Sequence, residues 1–113
     1  MLAPLMLGSL LGLSSMPPVR LATCQVLTPT TVQNDSGPTT VGIFALRVRF
    51  ADTTSETISR VTFTLDDGSQ VSDFGTFSPG IGINHALALS NTSATSCAVT
   101  AVRFVDGTTW NAN

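Results

Sequence analysis

Residues 41–50 read VGIFALRVRF, and from residue 44 onward this stretch alternates apolar side chains with other side chains at the two-residue period of a β-strand. The apolar face of the predicted strand carries Phe44, Leu46, Val48 and Phe50. The opposite face carries Arg47 and Arg49. This pattern is typical of an antiparallel strand that packs one side on a core and leaves the other side in water.

Similar segments occupy the rest of the chain beyond residue 20, and no helical period interrupts them. Further strands are predicted at 21–27, around Val61, Phe63 and Leu65, and at 69–77, 81–89, 97–105 and 108–110. Residues 30–40 are a polar stretch in which no strand is predicted, and residues 34–38 (NDSGP) are predicted to form a loop. About seven strands predict an all-β fold. We expect a single antiparallel sandwich of the immunoglobulin or fibronectin-III type, with a small barrel as the alternative.

Turn residues and breaks in the alternation add detail to this prediction. Asp-Gly pairs at 67–68 and 106–107 predict tight turns, the first as a two-residue hairpin loop. Pro79-Gly80 fits the two central positions of a type II turn. The alternation changes phase at Ile58 and near Gly75, and a β-bulge is the usual cause of such a change.

The composition excludes several classes of function. Only 11% of the 113 residues are charged, the net charge is −2, and all five basic residues are arginine. A nucleic-acid or anionic-membrane binder needs an excess of basic residues, so neither partner is expected. One histidine and two cysteines are too few for a four-ligand zinc site. With one glutamate, no acidic pair for glycoside hydrolysis is evident.

The N-terminal segment has the character of a targeting signal. Residues 2–13 read LAPLMLGSLLGL, which is shorter than the about twenty residues that span a bilayer but matches the apolar region of a signal peptide. We predict that residues 1–15 are a signal peptide that is removed, and that residues 16–113 form the β-sandwich domain of a secreted or periplasmic protein. A buried N-terminal helix is the alternative, and Pro4, Gly8 and Gly12 disfavour it.

Two cysteines in an exported domain most simply form one disulfide, here between Cys24 and Cys97. Closing a loop of about 70 residues constrains the unfolded chain by ~4 kcal/mol. One alternative is that Leu21-Ala22-Thr23-Cys24, which resembles the lipobox of bacterial lipoproteins, makes Cys24 a lipidation site and excludes the disulfide. Two free thiols in a cytosolic protein are the other alternative.

Three segments resemble a recurring pattern of a protein family. These are Asp73–Gly80 (DFGTFSPG), residues 83–85 (INH) and Val102–Trp110 (VRFVDGTTW). They are similar to the D-x-G-T-F-S-P-G turn, the following histidine and the closing F-x-D-G-x-x-W hairpin of small exported bacterial β-sandwich proteins of unknown function. The resemblance covers about half of the chain. It implies a secreted or periplasmic sandwich and supplies no catalytic residue.

His85 is the one side chain expected to titrate between about pH 5 and 8. If residues 78–81 form the turn of a hairpin, Asp73 lies opposite residues 84–86, and we predict Asp73 and His85 as cross-strand neighbours. A catalytic interpretation adds Ser72 or Ser78 as the nucleophile. The alternative, which we favour, is a structural Asp–His hydrogen bond.

The arginines are the main candidates for binding. Arg47 and Arg49 share one face, and Arg60 and Arg103 lie on neighbouring candidate strands. An arginine-lined sheet face suits an anionic glycan or a protein partner, and a solvated outer face is the alternative.

Acidic residues in the predicted loops are candidate calcium ligands. They are Asp66, Asp67, Asp35, Asp52 and Glu56. The spacing of a calcium-binding loop is absent, and the turn already accounts for Asp67-Gly68. We therefore expect no metal and no cofactor.

The sequence as a whole favours a non-catalytic, exported β-sandwich module for interaction, adhesion or surface structure, which binds a protein or carbohydrate through loops or an edge strand. A transmembrane span is not expected. A small secreted hydrolase built on Asp73, His85 and a serine is the first alternative. A secreted inhibitor or effector is the second.

Overall fold

A computed structural model describes residues 16–112, and the predicted signal peptide at 1–15 lies outside these residues. The described residues form nine strands and no helix. The strands are β1 Val19–Leu27, β2 Thr30–Asn34, β3 Gly37–Val41, β4 Ala45–Asp52, β5 Ile58–Leu65, β6 Gln70–Phe77, β7 Gly82–Ala88, β8 Cys97–Phe104 and β9 Thr109–Asn111. The prediction of an all-β fold is confirmed.

The strands form three antiparallel sheets. The first has the order β1-β4-β7, the second has the order β6-β5-β8-β9, and β2 pairs only with β3. The two larger sheets share one apolar core, since the Phe50 ring on β4 lies 5.7 Å from Phe63 on β5 and 5.3 Å from Phe77 on β6. Each of these two sheets therefore has an inner face on the core and an outer face toward solvent.

The alternation in β4 is confirmed. Leu46, Val48 and Phe50 are buried, whereas Arg47 and Arg49 are exposed. Strand β5 repeats the pattern and buries Val61, Phe63 and Leu65. Each such side chain contributes about 1.5–3 kcal/mol when it leaves water.

Both predicted bulges are confirmed. Ser59 is an extra residue relative to β8, since Ile58 pairs with Phe104 and Arg60 pairs with Arg103. On β6 the extra residue lies at 75–76, since Ile58 pairs with Phe77 while Arg60 pairs with Phe74. The bulge turns Phe77 into the core and leaves Phe74 71% exposed. A Cβ on Gly75 would lie 3.0 Å from two atoms of the Phe77 ring, which explains why the smallest residue stands there.

The type II turn at Pro79-Gly80 is confirmed, because the Ile81 amide donates to the Ser78 carbonyl and Gly80 has a φ of 78°. The loop at Asp67-Gly68 differs from the prediction. The Leu65 amide donates to the Ser69 carbonyl, so the loop has three residues. A two-residue type I′ turn needs positive φ at both central positions, and only Gly68 has it here. Residues 104–108 form the same kind of loop.

The polar stretch at 30–40, in which no strand is predicted, forms the β2–β3 hairpin, with Thr30 paired to Val41 and Asn34 paired to Gly37. The loop predicted at 34–38 contains the turn of this hairpin, at residues 35–36. Nearly all residues of the hairpin are exposed, so it lacks the alternation that marks a half-buried strand. The predicted strand at 41–50 begins too early. Its first residue, Val41, is the last residue of β3, and β4 starts only at Ala45.

The predicted disulfide is confirmed. Cys24 on β1 bonds to Cys97 on β8 and closes a sequence separation of 73 residues. Because Cys24 is paired, its sulfur is not free for lipid attachment, and the lipidation alternative is contradicted. Within residues 16–112, no helix is long and apolar enough to cross a membrane.

Candidate functional site

The structure brings Asp73 and His85 together, though not in the predicted way. Strand β6 is an edge of the four-stranded sheet and β7 is an edge of the three-stranded sheet, so the two strands do not pair as a hairpin. The turn at 78–81 carries the chain from one sheet to the other. It is held at the end of β4, because the Gly80 amide donates to the Asp52 carbonyl over 2.9 Å. Asp73 and His85 therefore meet across the open side of the two sheets.

The Asp73–His85 pair combines a buried carboxyl group with a half-exposed ring. The Nδ1 atom of His85 lies 2.6 Å from Oδ2 of Asp73, and the two side chains are 46% and 7% exposed. This hydrogen bond uses Nδ1, so Nε2 is the ring nitrogen left for other partners. The His85 ring also lies 6.2 Å from Phe77, at the rim of the core.

Neither candidate serine joins this pair. The Ser72 hydroxyl lies 2.8 Å from the Thr62 hydroxyl, on the outer face of the sheet. Ser72 and Asp73 point to opposite faces because consecutive side chains of a strand alternate. Ser78 is exposed at the turn. Among residues 16–112 no hydrogen bond links either serine to His85. The structure therefore brings together Asp73 and His85 but does not complete a catalytic triad with a serine.

The four arginines predicted as a binding surface are divided between the two large sheets. Arg47 and Arg49 lie on the outer face of the three-stranded sheet, whereas Arg60 and Arg103 pair with each other in the four-stranded sheet. Strands β4 and β5 follow each other in sequence but belong to different sheets, so the four residues do not form one surface. Arg20, which the sequence did not single out, joins the first group because β1 begins before the predicted residue 21.

A groove lies between Arg20 and Arg49 on the outer face of the three-stranded sheet. It encloses about 220 Å³. Besides the two arginines, it is lined by Ala22, Phe50, Ala51, Gly82, Ile83 and Asn84. Arg49 pairs with Thr23 on one neighbouring strand and with Asn84 on the other. Within residues 16–112, no arginine forms an ion pair with an acidic residue, so both guanidinium groups keep their full capacity for an anionic ligand.

Two of the candidate calcium ligands, Asp66 and Asp67, are occupied by hydrogen bonds within the chain, whereas Oδ2 of Asp52 is buried without a partner among residues 16–112. Donation by the Ser69 and Thr92 hydroxyls and the Ser69 amide lowers the pKa of Asp67 from 3.8 to about 2. The amide and hydroxyl of Thr95 lower the pKa of Asp66 in the same way. Within the described part of the chain, no group of three or more His, Cys, Asp or Glu side chains is placed to hold a metal.

The Asp67 carboxylate predicts a loss of stability in acid. Because its pKa is lower in the folded protein than in the unfolded chain, the carboxylate stabilises the fold above about pH 4, and this contribution is lost as the pH falls toward 2. We expect Asp67→Asn to lower the urea midpoint at pH 7 and to match the wild type near pH 2. Thr92→Val removes one donor and should move the transition to higher pH. A difference between wild type and Asp67→Asn that is constant with pH would contradict this account.

The chain was also compared with protein-family models, with curated proteins and with solved structures, and it matches none of them. The resemblance to small exported bacterial proteins therefore stays a prediction.

Proposed function

We propose that this protein is an exported, non-catalytic binding module that holds an acidic glycan in the groove between Arg20 and Arg49. The observation that carries the proposal is a pair of arginines without acidic partners on either side of a concave surface with small side chains. The ligand supplies the negative charge that the chain itself does not place there.

The fold and the disulfide support the part of the proposal that places the protein outside the cytoplasm. A three-stranded sheet that faces a four-stranded sheet supports a sandwich of the fibronectin-III type, an architecture found in many cell-surface domains. A disulfide between Cys24 and Cys97 persists in an oxidising compartment such as the periplasm or the extracellular space. Acidic polysaccharides are ligands that such a module meets there.

The chemistry of the groove favours a sugar acid over a simple anion. Guanidinium groups bind carboxylates through two parallel hydrogen bonds, which fixes their orientation. The Thr23 hydroxyl and the Asn84 amide flank Arg49 on its two neighbouring strands, and groups of this kind bind the hydroxyls of a sugar. The small side chains of Ala22, Ala51 and Gly82 leave room for a ring.

A titration with trigalacturonate, followed by two-dimensional amide NMR, tests this proposal. We expect shift changes at Thr23 and Asn84, and an affinity loss of about tenfold to a hundredfold in Arg20→Ala/Arg49→Ala. Arg47→Ala is the matched control, because Arg47 is an exposed arginine of the same strand and face but does not line the groove. Unchanged affinity in the double variant would contradict the proposal. If short polyglutamate binds with equal affinity, the ligand of the groove is an acidic peptide and not a glycan.

The Asp73–His85 hydrogen bond is the observation that favours the alternative of a small hydrolase. A hydrolase of this kind needs a nucleophile beside Nε2, and Ser72 is hydrogen-bonded to Thr62 on the other face of β6. We interpret the pair as structural. His85→Ala should then retain glycan binding, and hydrolysis of an ester substrate that depends on His85 would support the alternative.

A further inference from the structure

A second arginine pair lies on the outer face of the four-stranded sheet. Arg60 on β5 and Arg103 on β8 are direct cross-strand partners. Phe74 on β6 pairs with Arg60, and Thr109 on β9 pairs with Arg103. These four residues form a row across all four strands, which we call the arginine row.

The charges of the arginine row are not compensated within the described chain. Like charges directly opposite each other destabilise a sheet, and neither Arg60 nor Arg103 forms an ion pair among residues 16–112. The Nε atom of Arg60 is buried and has no hydrogen-bond partner in the part of the chain that the structure describes. An unsatisfied buried donor calls for an explanation, and a bound anion that neutralises the guanidinium group would offset part of the cost of burying it.

Phe74 gives the arginine row an apolar surface. The bulge at Gly75 turns Phe77 into the core and Phe74 outward, where 71% of Phe74 is exposed. An aromatic ring beside charged hydrogen-bond donors is typical of sites that bind a ligand with both an apolar face and an acidic group. A sugar acid has both, since one face of its ring is apolar and its carboxylate lies at the edge.

We propose that the arginine row is a second binding site for an acidic sugar, with the carboxylate bridging Arg60 and Arg103 and the ring lying on Phe74. The ligand class is that of the proposed function, on which this inference rests. The groove and the arginine row occupy the outer faces of two sheets that pack through their inner faces. One molecule therefore holds two glycan chains and cross-links them.

Calorimetric titration with trigalacturonate tests this inference through its stoichiometry. We expect two sites in the wild type and one site in Arg60→Ala/Arg103→Ala. Phe74→Ala should weaken the second site roughly threefold to tenfold. Light scattering with long polygalacturonate should rise for the wild type and stay low for either double arginine variant, because cross-linking needs both sites. Thermal unfolding of each variant checks the fold, and Arg103→Gln alone, at an exposed position, serves if the double variant does not fold.

The outcomes separate the two proposals. One site in the wild type that Arg20→Ala/Arg49→Ala abolishes would overturn the arginine row and leave the proposed function standing. One site that only Arg60→Ala/Arg103→Ala abolishes would overturn the groove and leave the arginine row as an independent site. If inorganic sulfate competes at the arginine row as well as trigalacturonate does, the row is a general anion site, and the assignment to a sugar is wrong.

Discussion

Replacing both cysteines, as Cys24→Ala/Cys97→Ala, is expected to lower the free energy of unfolding by about 4 kcal/mol. The disulfide closes a separation of 73 residues, and without it the unfolded chain regains the conformations that the bond excludes. A domain of this size is stabilised by about 5–15 kcal/mol in total. The loss is therefore a large fraction of the stability, and the melting temperature should fall by roughly 15–30 °C.

Urea unfolding followed by circular dichroism measures this effect. Three samples are needed: the oxidised wild type, the wild type held in reductant, and the double alanine variant. The last two should coincide, because both lack the same bond. The double alanine variant, which has no disulfide to reduce, is measured with and without reductant to control for any effect of the reductant itself. An alanine variant within about 1 kcal/mol of the oxidised wild type would show that the unfolded chain gains little from losing the bond.

The position of the disulfide also bears on the Asp73–His85 pair. Cys24 and Cys97 join the two sheets on the side where β1 faces β8, and Asp73 and His85 join them on the side where β6 faces β7. One side is closed by a covalent bond and the other by a hydrogen bond to a buried carboxylate. Because the hydrogen bond joins the two sheets on one side as the disulfide does on the other, we interpret the Asp73–His85 pair as a structural contact between the sheets.

Most of the features that the sequence predicts correctly have local causes. The alternation of β4, the phase changes at Ile58 and Gly75, and the turn at Pro79-Gly80 each follow from a few adjacent residues. The Cys24–Cys97 pair follows from there being only two cysteines.

The features that the sequence misses depend on distant contacts or on the absence of burial. The separation of β6 from β7 depends on Asp52, which holds the turn at Gly80 from 28 positions earlier in the chain. The β2–β3 hairpin is exposed on both faces and so gives no periodic signal. Arg20 joins the groove only because β1 pairs with β4, which places it beside Ala51.

Phe50→Ala is expected to lower the free energy of unfolding by about 3–5 kcal/mol, the range for removing a buried aromatic ring from a packed core. Phe50 is 2% exposed, and its ring contacts Phe63 and Phe77 of the opposite sheet. The substitution therefore removes contacts between the two sheets as well as apolar burial. Urea unfolding at neutral pH, with the disulfide intact, measures the loss.

Phe74→Ala is the matched control, because the same side chain is removed from a position that is 71% exposed. Its effect on stability should stay within about 0.5 kcal/mol. The two variants together separate the core from the surface. Phe50→Ala should unfold early, and Phe74→Ala should fold normally yet bind trigalacturonate weakly at the arginine row. If Phe74→Ala is destabilised as strongly as Phe50→Ala, then Phe74 is held by the fold, and its exposure is no sign of a ligand.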